Sequence, residues 1–331
     1  MPDIAARRIV VTGATGFLGR HLVRALLGQG IEAPELRLLA RDVTKAGGLP
    51  LASVFGADLL DLCSLERAVD GADVVFHLAG AVKSWNRRGY FETNETGTRN
   101  LARALRSRAP SAFVVHVSSL AAAGPSVDGS GTNAPPDRCR PVSLYGRSKV
   151  LGEIAMLDEG LAPAIVRPCA VYGPADAATR LLFRQALGRF AAVPARRVPL
   201  SIVHVDDVVA LLLAVARARC RGRILPIDGP ERTDSHDLMR SLARACDREA
   251  RLIRVPRGLA VPAAMLADLM ARARRRASFF SRDKIREVYG GGWVADGTEA
   301  ASIWKPCVRL REGLRRVAIQ EGFVRREERS R

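Results

Sequence analysis

Residues 9–19 are Ile9-Val10-Val11-Thr12-Gly13-Ala14-Thr15-Gly16-Phe17-Leu18-Gly19, an apolar run followed at once by three evenly spaced glycines. The β-branched run predicts a short buried strand. Apolar residues at helical spacing over residues 21–28 predict a helix after the glycines. A strand, a glycine loop and a helix in this order predict the first unit of a parallel α/β sheet.

The three glycines also predict a dinucleotide site. Glycine allows a tight turn and a close approach of the main chain to a pyrophosphate. The following helix N-terminus offers unpaired N–H groups and the positive end of its dipole. In the strand–loop–helix context this favours a bound cofactor over a purely structural turn.

The rest of the chain continues the alternation of strands and helices. Strands are predicted at residues 36–40, 74–78, 113–117, 164–166 and 202–205, and helices at residues 94–107, 143–157 and 206–217. This predicts an α/β fold, a doubly wound parallel sheet (Rossmann) with a smaller, mostly C-terminal substrate-binding lobe. Residues 1–168 and 201–229 are assigned to the cofactor-binding domain, 169–200 and 230–323 to the lobe, and 324–331 to a frayed tail.

Composition limits the protein's class. The chain has 331 residues with 48% hydrophobic content, enough for a full core. Its longest apolar runs fall short of the roughly 20 residues of a membrane span, and the N-terminus lacks the pattern of a secretory signal. The six cysteines include no C-x-x-C pair and no histidine at ligand spacing, so we expect reduced thiols, no metal site and a cytoplasmic location.

The net charge is +18, and nearly all the basic residues are arginine. An arginine-heavy surface explains this value. A basic surface for an anionic substrate, a membrane or an acidic partner is the alternative. The chain has no RNA-binding motif, so no nucleic acid is expected as a partner.

The end of the second predicted strand bears on which cofactor binds. NAD enzymes usually place Asp or Glu there to bond the ribose 2′-hydroxyl, whereas this chain has Arg41. A guanidinium can pair bidentately with a 2′-phosphate, so NADP is predicted. In the alternative, Arg41 points to solvent, Asp42 takes the ribose, and the cofactor is NAD.

A tyrosine and a lysine four residues apart, Tyr145 and Lys149, share one face of a predicted helix. Reduction of a carbonyl by hydride transfer needs a proton donor at the developing alkoxide. A tyrosine can act there if the Lys149 ammonium and an oxidised nicotinamide favour its phenolate. Ser118 and Ser119, at the end of a predicted strand, supply a hydroxyl to fix the substrate oxygen.

These motifs together resemble the extended short-chain dehydrogenases/reductases, the NAD(P)-dependent epimerase/dehydratase superfamily. The resemblance also includes residues 77–80, 171–174 and 204–207 and covers nearly the whole chain. It implies that the catalytic residues are Ser119, Tyr145 and Lys149. It implies cofactor contacts from Gly13, Thr15, Gly16, Phe17, Leu18, Arg41, Asp58, Leu59, Ala79, Gly80, Asn94, Ser118, Tyr145, Lys149, Pro168 and Val171.

Several of these residues have an alternative role. Ser118 is a strand-end or cofactor contact rather than the catalytic serine. Asn94 supports the site or caps its helix. His204 is expected to be packed and hydrogen-bonded, and the two aspartates after it are expected to start a helix.

Within the family, residues 117–125 and 280–306 resemble the 3β-hydroxysteroid dehydrogenase and dihydroflavonol reductase branch. Most sugar-nucleotide epimerases have a tyrosine near position 123, where this chain has Ala123. The predicted reaction interconverts a ketone and a secondary alcohol on a hydrophobic substrate, such as a steroid, isoprenoid, lipid or secondary metabolite. Lys83, Trp85 and Tyr172 are candidate substrate contacts, although Trp85 and Tyr172 suit a core equally well.

Two other functions stay open at this point. One is a sugar-nucleotide epimerase or dehydratase. The other is a non-catalytic nucleic-acid-binding protein on the same fold. The family resemblance also implies a homodimer formed by the helices that carry Asn94 and Tyr145.

Residues 258–271 are largely apolar, interrupted by Asp268, and arginines follow at 272, 274, 275 and 276. An apolar helix beside a basic cluster can lie on a membrane surface. The alternative is a lobe helix packed on the core. Peripheral membrane contact, and hence a membrane-associated location, therefore stays open.

Overall fold

Short apolar runs form the strands of the protein. The computed structural model describes residues 7–33, 35–126, 131, 133–274 and 280–324. The strands in this part are β1 (Ile9–Thr12), β2 (Leu36–Ala40), β3 (Val54–Gly56), β4 (Val74–His77), β5 (Phe113–Val117), β6 (Ala164–Pro168), β7 (Ala170–Tyr172), β8 (Ala191–Pro194), β9 (Pro199–His204), β10 (Ile224–Ile227), β11 (Arg232–Asp234) and β12 (Leu252–Val255). Strands β2 and β5 have the predicted bounds.

Seven strands form one parallel sheet in the order β10-β6-β5-β4-β1-β2-β3. The chain moves outward from β1 in one direction through β2 and β3, and then returns to build the other half from β4. The carboxyl ends of β1 and β4 therefore border the crevice where the strand order reverses, the usual ligand site of such sheets. This confirms the predicted doubly wound fold.

The α-helices in the described part of the chain are α1 (Phe17–Leu27), α2 (Leu62–Val69), α3 (Arg87–Phe91), α4 (Gly97–Arg108), α5 (Leu120–Ala123), α6 (Leu144–Asp158), α7 (Ala177–Ala186), α8 (Val205–Ala218), α9 (Ser235–Arg244), α10 (Arg257–Ala273), α11 (Arg282–Tyr289), α12 (Thr298–Ala301) and α13 (Leu310–Gln320).

Alternate residues of the sheet strands face two different hydrophobic cores, one on each side of the sheet. Val11 packs in one core with α1 and α8, and Val10 packs in the other with α2, α4 and α6. Both faces of the sheet are thus covered, as its continuous apolar strands require.

Two predicted elements differ from the structure. The strand predicted at residues 202–205 is β9, which joins a separate three-stranded sheet in the order β11-β9-β7. The strand after α8 that completes the main sheet is β10. The helix predicted at residues 94–107 becomes α3, a π turn over Glu92–Thr96 and then α4.

Small elements from the second half of the chain pack beside the main sheet. They include the three-stranded sheet, the parallel pair of β8 with β12, and the packed helices α10 and α11. Among the described residues, no helix is both long and apolar enough to cross a membrane. The predicted frayed tail lies outside the described residues beyond Val324.

Candidate active site

The glycine loop is pressed against the end of β4. Gly13 has φ +72°, and a Cβ there would lie 2.6 Å from the Ala79 nitrogen. Gly16 N donates a hydrogen bond to Gly13 O (2.9 Å), and Gly19 leaves no room for a side chain against the same carbonyl. A larger residue at position 13 would separate the two backbone segments that line the crevice.

Buried side chains tie the ends of β1 and β4 together. Thr12 Oγ1 lies 2.7 Å from His77 Nδ1 and accepts a hydrogen bond from Ala79 N at 3.2 Å. His77 Nε2 lies 2.9 Å from Thr98 Oγ1. Burial lowers the pKa of His77 to about 3, with the Lys149 charge acting in the same direction, so the ring is neutral. The loop is therefore held by uncharged hydrogen bonds beneath it.

A groove of about 250 Å³ opens between the glycine loop and the end of β2. Eight predicted cofactor residues line it: Gly13, Thr15, Gly16, Arg41, Asp58, Leu59, Ala79 and Gly80. The others lie outside its lining: Phe17, Leu18, Asn94, Ser118, Tyr145, Lys149, Pro168 and Val171. A larger cavity of about 590 Å³ lies between α9 and α13 and is lined by none of the predicted site residues. The groove contains the glycine loop at the point where the strand order reverses and is the better candidate site.

The end of β2 presents a guanidinium to this groove. Arg41 is exposed, while Asp42 accepts a hydrogen bond from Thr44 N (3.1 Å) and caps the short 3-10 helix that follows. Arg20, which the sequence analysis missed, donates to Thr15 O at 3.1 Å and Gly47 O at 2.7 Å. At this strand end the carboxylate of Asp42 is thus engaged by the 3-10 helix, while the guanidinium of Arg41 is exposed.

Tyr145 lies in the first turn of α6. Ser143 caps this helix by accepting a hydrogen bond from Gly146 N at 2.9 Å. Burial raises the pKa of Tyr145 to about 12, a hydrogen bond with the Ser119 side chain opposes that rise, and the Glu287 charge adds to it. This is opposite to the direction expected from the sequence, because burial outweighs any nearby positive charge. The tyrosine is therefore protonated at neutral pH.

Lys149 is buried one turn further along the same helix. Its Nζ donates a hydrogen bond to Val117 O at 2.8 Å. Burial lowers the pKa of Lys149 to about 8, against the opposing charge of Glu153. A Cβ on Gly80 would lie 3.5 Å from Lys149 Nζ, so the ammonium sits directly behind the groove wall.

Asn94 lies in the π turn, an insertion often found at functional sites. It is buried and does not cap a helix. Its Oδ1 accepts from Ala81 N (2.7 Å), and its Nδ2 donates to Ala81 O (3.0 Å) and Ser148 Oγ (2.8 Å). The π turn thus occurs at the residue whose side-chain amide, that of Asn94, holds the backbone of Ala81, directly after Gly80.

The two serines after β5 differ in their contacts. The Ser119 side chain lowers the pKa of Tyr145, against the effect of burial, and caps α5 by accepting from Ala121 N at 3.1 Å. Ser118 donates its N–H to Val166 O at 2.7 Å, and its buried hydroxyl has no partner among the described residues. The structure brings Ser119 to the tyrosine.

The three predicted substrate residues differ in exposure. Lys83 is exposed, and Trp85 is 44% exposed. Tyr172 is buried in the apolar core of the lobe with Phe183, and its ring centroid lies 5.1 Å from that of His204 in an edge-on arrangement. Packing therefore accounts for Tyr172, whereas Trp85 is not a core residue.

Two further predicted residues also serve structure here. Pro168 ends β6 in the main sheet, and Val171 is half-buried in β7. His204 is packed and hydrogen-bonded, as the sequence indicated; it caps α8 itself, by accepting from Asp206 N at 3.2 Å.

Helix α11 supplies carboxylates that the sequence analysis did not place at the site. Asp283 accepts hydrogen bonds from Leu144 N (2.7 Å) and Tyr145 N (3.3 Å), and Glu287 Oε1 accepts from Ser143 Oγ (2.7 Å). Burial raises the pKa of Asp283, against the two backbone hydrogen bonds. Tyr90 was also missed, and its ring centroid lies 6.4 Å from that of Tyr145.

Known proteins match this chain in sequence and in fold. The NAD dependent epimerase/dehydratase family matches residues 9–226. The ceramide reductase of Caulobacter vibrioides is 34% identical over 299 residues, which cover 88% of this chain and 87% of that protein. The Homo sapiens 3 beta-hydroxysteroid dehydrogenase type 7 is 31% identical over 229 residues, 62% of this chain and 61% of that protein. The structure of DesIV, a dTDP-glucose 4,6-dehydratase from Streptomyces venezuelae with NAD bound, has a TM-score of 0.75 at 23% identity, covering 96% of this chain and 99% of that one; it shows the fold alone.

Proposed function

Because the chain belongs to the NAD-dependent epimerase/dehydratase family, we propose that it is an NADP(H)-dependent oxidoreductase that interconverts a ketone and a secondary alcohol on a hydrophobic substrate. The family and its relatives confirm an NAD(P)-dependent enzyme. They also confirm the predicted resemblance to the 3β-hydroxysteroid dehydrogenase branch. The single observation that carries the proposed chemistry is the burial of Tyr145, next to the side chain of Ser119, one helical turn from the buried Lys149.

The groove fits a dinucleotide. The close approach of Gly13 to Ala79 leaves the main chain open to a pyrophosphate. The N-terminus of α1 borders the groove at Gly16, and in the described part of the chain no side chain caps it. We propose that Thr15 and Gly16 hold the phosphates and that Asp58 and Leu59 contact the adenine. When bound, the nicotinamide supplies or accepts the hydride.

We propose NADP rather than NAD, because Arg41 is exposed at the groove while Asp42 caps the next helical turn. The test compares kcat/KM for NADPH and NADH in the wild type, in Arg41→Ala, and in Arg24→Ala, an exposed arginine of α1, as the control. We expect Arg41→Ala alone to lose the preference for NADPH, since a guanidinium–phosphate pair is charge-assisted. An unchanged preference in Arg41→Ala rejects NADP selection by this residue.

The proposed proton transfer uses three side chains. Tyr145, protonated at neutral pH, donates to the substrate oxygen during reduction. Ser119 bonds the same oxygen and the tyrosine hydroxyl. Lys149, charged below pH about 8, places a positive charge behind the groove wall and stabilises negative charge that develops on the oxygen.

Replacement of Tyr145 by phenylalanine tests the proton donor, with Tyr90→Phe as a matched control in the neighbouring ring. We expect Tyr145→Phe to lose ketone reduction by about 10²–10⁴-fold, the usual contribution of a general acid, while it still binds NADPH. Tyr90→Phe should keep most of the activity. Full turnover by Tyr145→Phe would disprove the proposed role.

Similarity to a ceramide reductase and a hydroxysteroid dehydrogenase supports a hydrophobic substrate. An NADPH-oxidation screen of long-chain and cyclic ketones tests this class. Turnover of UDP- or dTDP-sugars with tightly retained NAD, and of no ketone, would instead favour a sugar-nucleotide epimerase or dehydratase.

We also propose the remaining assignments of the chain. Residues 1–168 and 201–229 hold the cofactor, and 169–200 with 230–323 hold the substrate. A homodimer forms through α4 and α6, which sedimentation of the purified protein would test. The protein works in the cytoplasm.

A further inference from the structure

Helix α10 is packed with its small side chains inward and its large ones outward. Ala260 and Ala264 are buried beside Ile285 of α11. In contrast, Leu259, Leu266 and Leu269 are 67%, 58% and 65% exposed. A helix that faces only water normally has the opposite arrangement.

The outward residues form one continuous band, here called the α10 stripe: Leu259, Pro262, Ala263, Leu266, Leu269, Met270 and Ala273, all exposed. Their spacing of three and four residues places them on a single helix face. Scattered exposed apolar residues are ordinary, but a contiguous band of this size marks an interaction site.

The charges around the stripe are positive. Arg254, Arg257 and Arg274 are exposed at its two ends, and Arg282 and Arg286 are exposed on α11. Asp268 is the sole acidic residue between positions 251 and 276, and its Oδ2 accepts a hydrogen bond from Arg282 N at 3.0 Å.

This charge pattern selects the occupant. Apolar residues flanked by arginines complement an anionic lipid surface, where acyl chains receive the leucines and headgroups pair with the guanidiniums. A second copy of the chain would place like charges against each other. The helix lies on the surface instead of crossing it, because no described helix is long and apolar enough to span.

The stripe is one helix away from the candidate catalytic tyrosine. Helix α10 packs against α11, and Asp283 of α11 accepts hydrogen bonds from the first N–H groups of α6, those of Leu144 and Tyr145. A lipid surface bound at the stripe is therefore connected through α10 and α11 to the end of α6 at which Tyr145 sits.

We propose that the α10 stripe docks the protein on an anionic lipid surface, which places Tyr145 beside the phase that holds its substrate. The consequence for the substrate rests on the proposed function. The docking itself does not, and the two can fail separately.

Vesicle co-sedimentation of the full chain tests the docking. Wild type is mixed with phosphatidylglycerol–phosphatidylcholine vesicles and with phosphatidylcholine vesicles, at low and high salt. We expect binding to the anionic vesicles that weakens with salt, because the arginines contribute through screened charge. No sedimentation with the anionic vesicles overturns the proposal.

Single substitutions locate the contact. Leu266→Glu or Leu269→Glu should weaken anionic-vesicle binding by at least about tenfold, because each removes a leucine from the lipid and adds a negative charge. Leu181→Glu is the matched control, on helix α7 and 44% exposed, and should bind like wild type. Equal binding by Leu266→Glu and wild type overturns the proposal. A second result would also overturn it: the wild type is a dimer that does not bind vesicles, and Leu266→Glu converts it to a monomer. The stripe would then join two copies of the chain.

Activity separates this proposal from the proposed function. Leu266→Glu should reduce a water-soluble ketone at the wild-type rate, which also shows that the variant is folded. If the wild type binds anionic vesicles but none of the tested ketones makes it oxidise NADPH, the docking surface would be supported and the oxidoreductase proposal contradicted.

Discussion

Gly13 and Gly30 form a matched pair for testing how the glycine loop works. Both have left-handed backbone, with φ +72° and +78°. A Cβ on Gly30 would meet no atom within 4 Å, whereas a Cβ on Gly13 would lie 2.6 Å from Ala79 N and 2.8 Å from Leu78 C. Alanine at the two positions therefore shares one penalty and differs in another.

The shared penalty is backbone strain. A non-glycine residue in left-handed conformation costs about 1–2 kcal/mol, offset in part by about 0.4–1 kcal/mol from the stiffer unfolded chain. Gly30→Ala should therefore lower the free energy of unfolding by about 1 kcal/mol. Its NADPH affinity should not change, because position 30 lies at the far end of α1 from the loop.

Gly13→Ala adds a backbone clash. The atoms it would meet belong to the main chain after β4, which Thr12 Oγ1 holds through Ala79 N at 3.2 Å. Forcing extra atoms into a packed site costs about 1–3 kcal/mol more, so the total loss should be about 2–4 kcal/mol. The loop and the end of β4 would also separate, and NADPH affinity should fall by more than about tenfold, since a pyrophosphate needs both at close range.

Urea denaturation and NADPH fluorescence titration measure the two effects. Unchanged m-values would show that the variants unfold from the same compact state. The reasoning is refuted if Gly13→Ala matches Gly30→Ala in stability and also binds NADPH like wild type.

Two further predictions concern buried charges. The kcat/KM of ketone reduction should fall as pH rises through about 8, because Lys149 loses its positive charge there. If Lys149→Arg is active, its kcat/KM should fall only at higher pH. A flat profile of the wild type from pH 7 to 9 would contradict a role for the charge. Glu153→Gln should lower the free energy of unfolding by about 3–5 kcal/mol in urea denaturation, because it leaves Arg167, with 0% side-chain exposure, without its charge partner. Glu299→Gln, in an exposed pair with Arg223, should change it by less than about 1 kcal/mol, and equal losses in the two variants would contradict the burial argument.

Local patterns in the sequence were enough for the central sheet. Residues 36–40 are apolar except for Arg37, a pattern that predicts a largely buried strand, and the strand has those bounds. The four-residue spacing of Tyr145 and Lys149 likewise depends only on helix geometry. The sheet that β9 joins could not be predicted, because its partners β7 and β11 are chosen by tertiary packing and not by its own pattern.

Site residues that are distant in sequence were also invisible. Asp283 meets Leu144 across 139 positions, and no local pattern shows which lobe helix packs on the start of α6. The π turn at Asn94 leaves the apolar spacing within each flanking helix unchanged, so the sequence pattern predicts a single helix there. Burial of Lys149 has the same origin, because a lysine on a helix is exposed unless the fold covers it.

Burial, more than pairing, sets the protonation of the candidate site. It acts on both members of the Tyr145–Lys149 pair in the direction of the uncharged form, raising the pKa of the tyrosine to about 12 and lowering that of the lysine to about 8. Between pH 6 and 8 the tyrosine thus holds its proton while the lysine keeps its charge. That combination suits reduction, where the donor must be protonated and negative charge on the substrate oxygen must be stabilised. Oxidation of the alcohol requires the phenolate, and a positively charged oxidised nicotinamide would favour that form. In the proposed mechanism the same two side chains would therefore serve either direction, and the charge of the bound cofactor, which changes with its redox state, would decide which protonation state of Tyr145 is favoured.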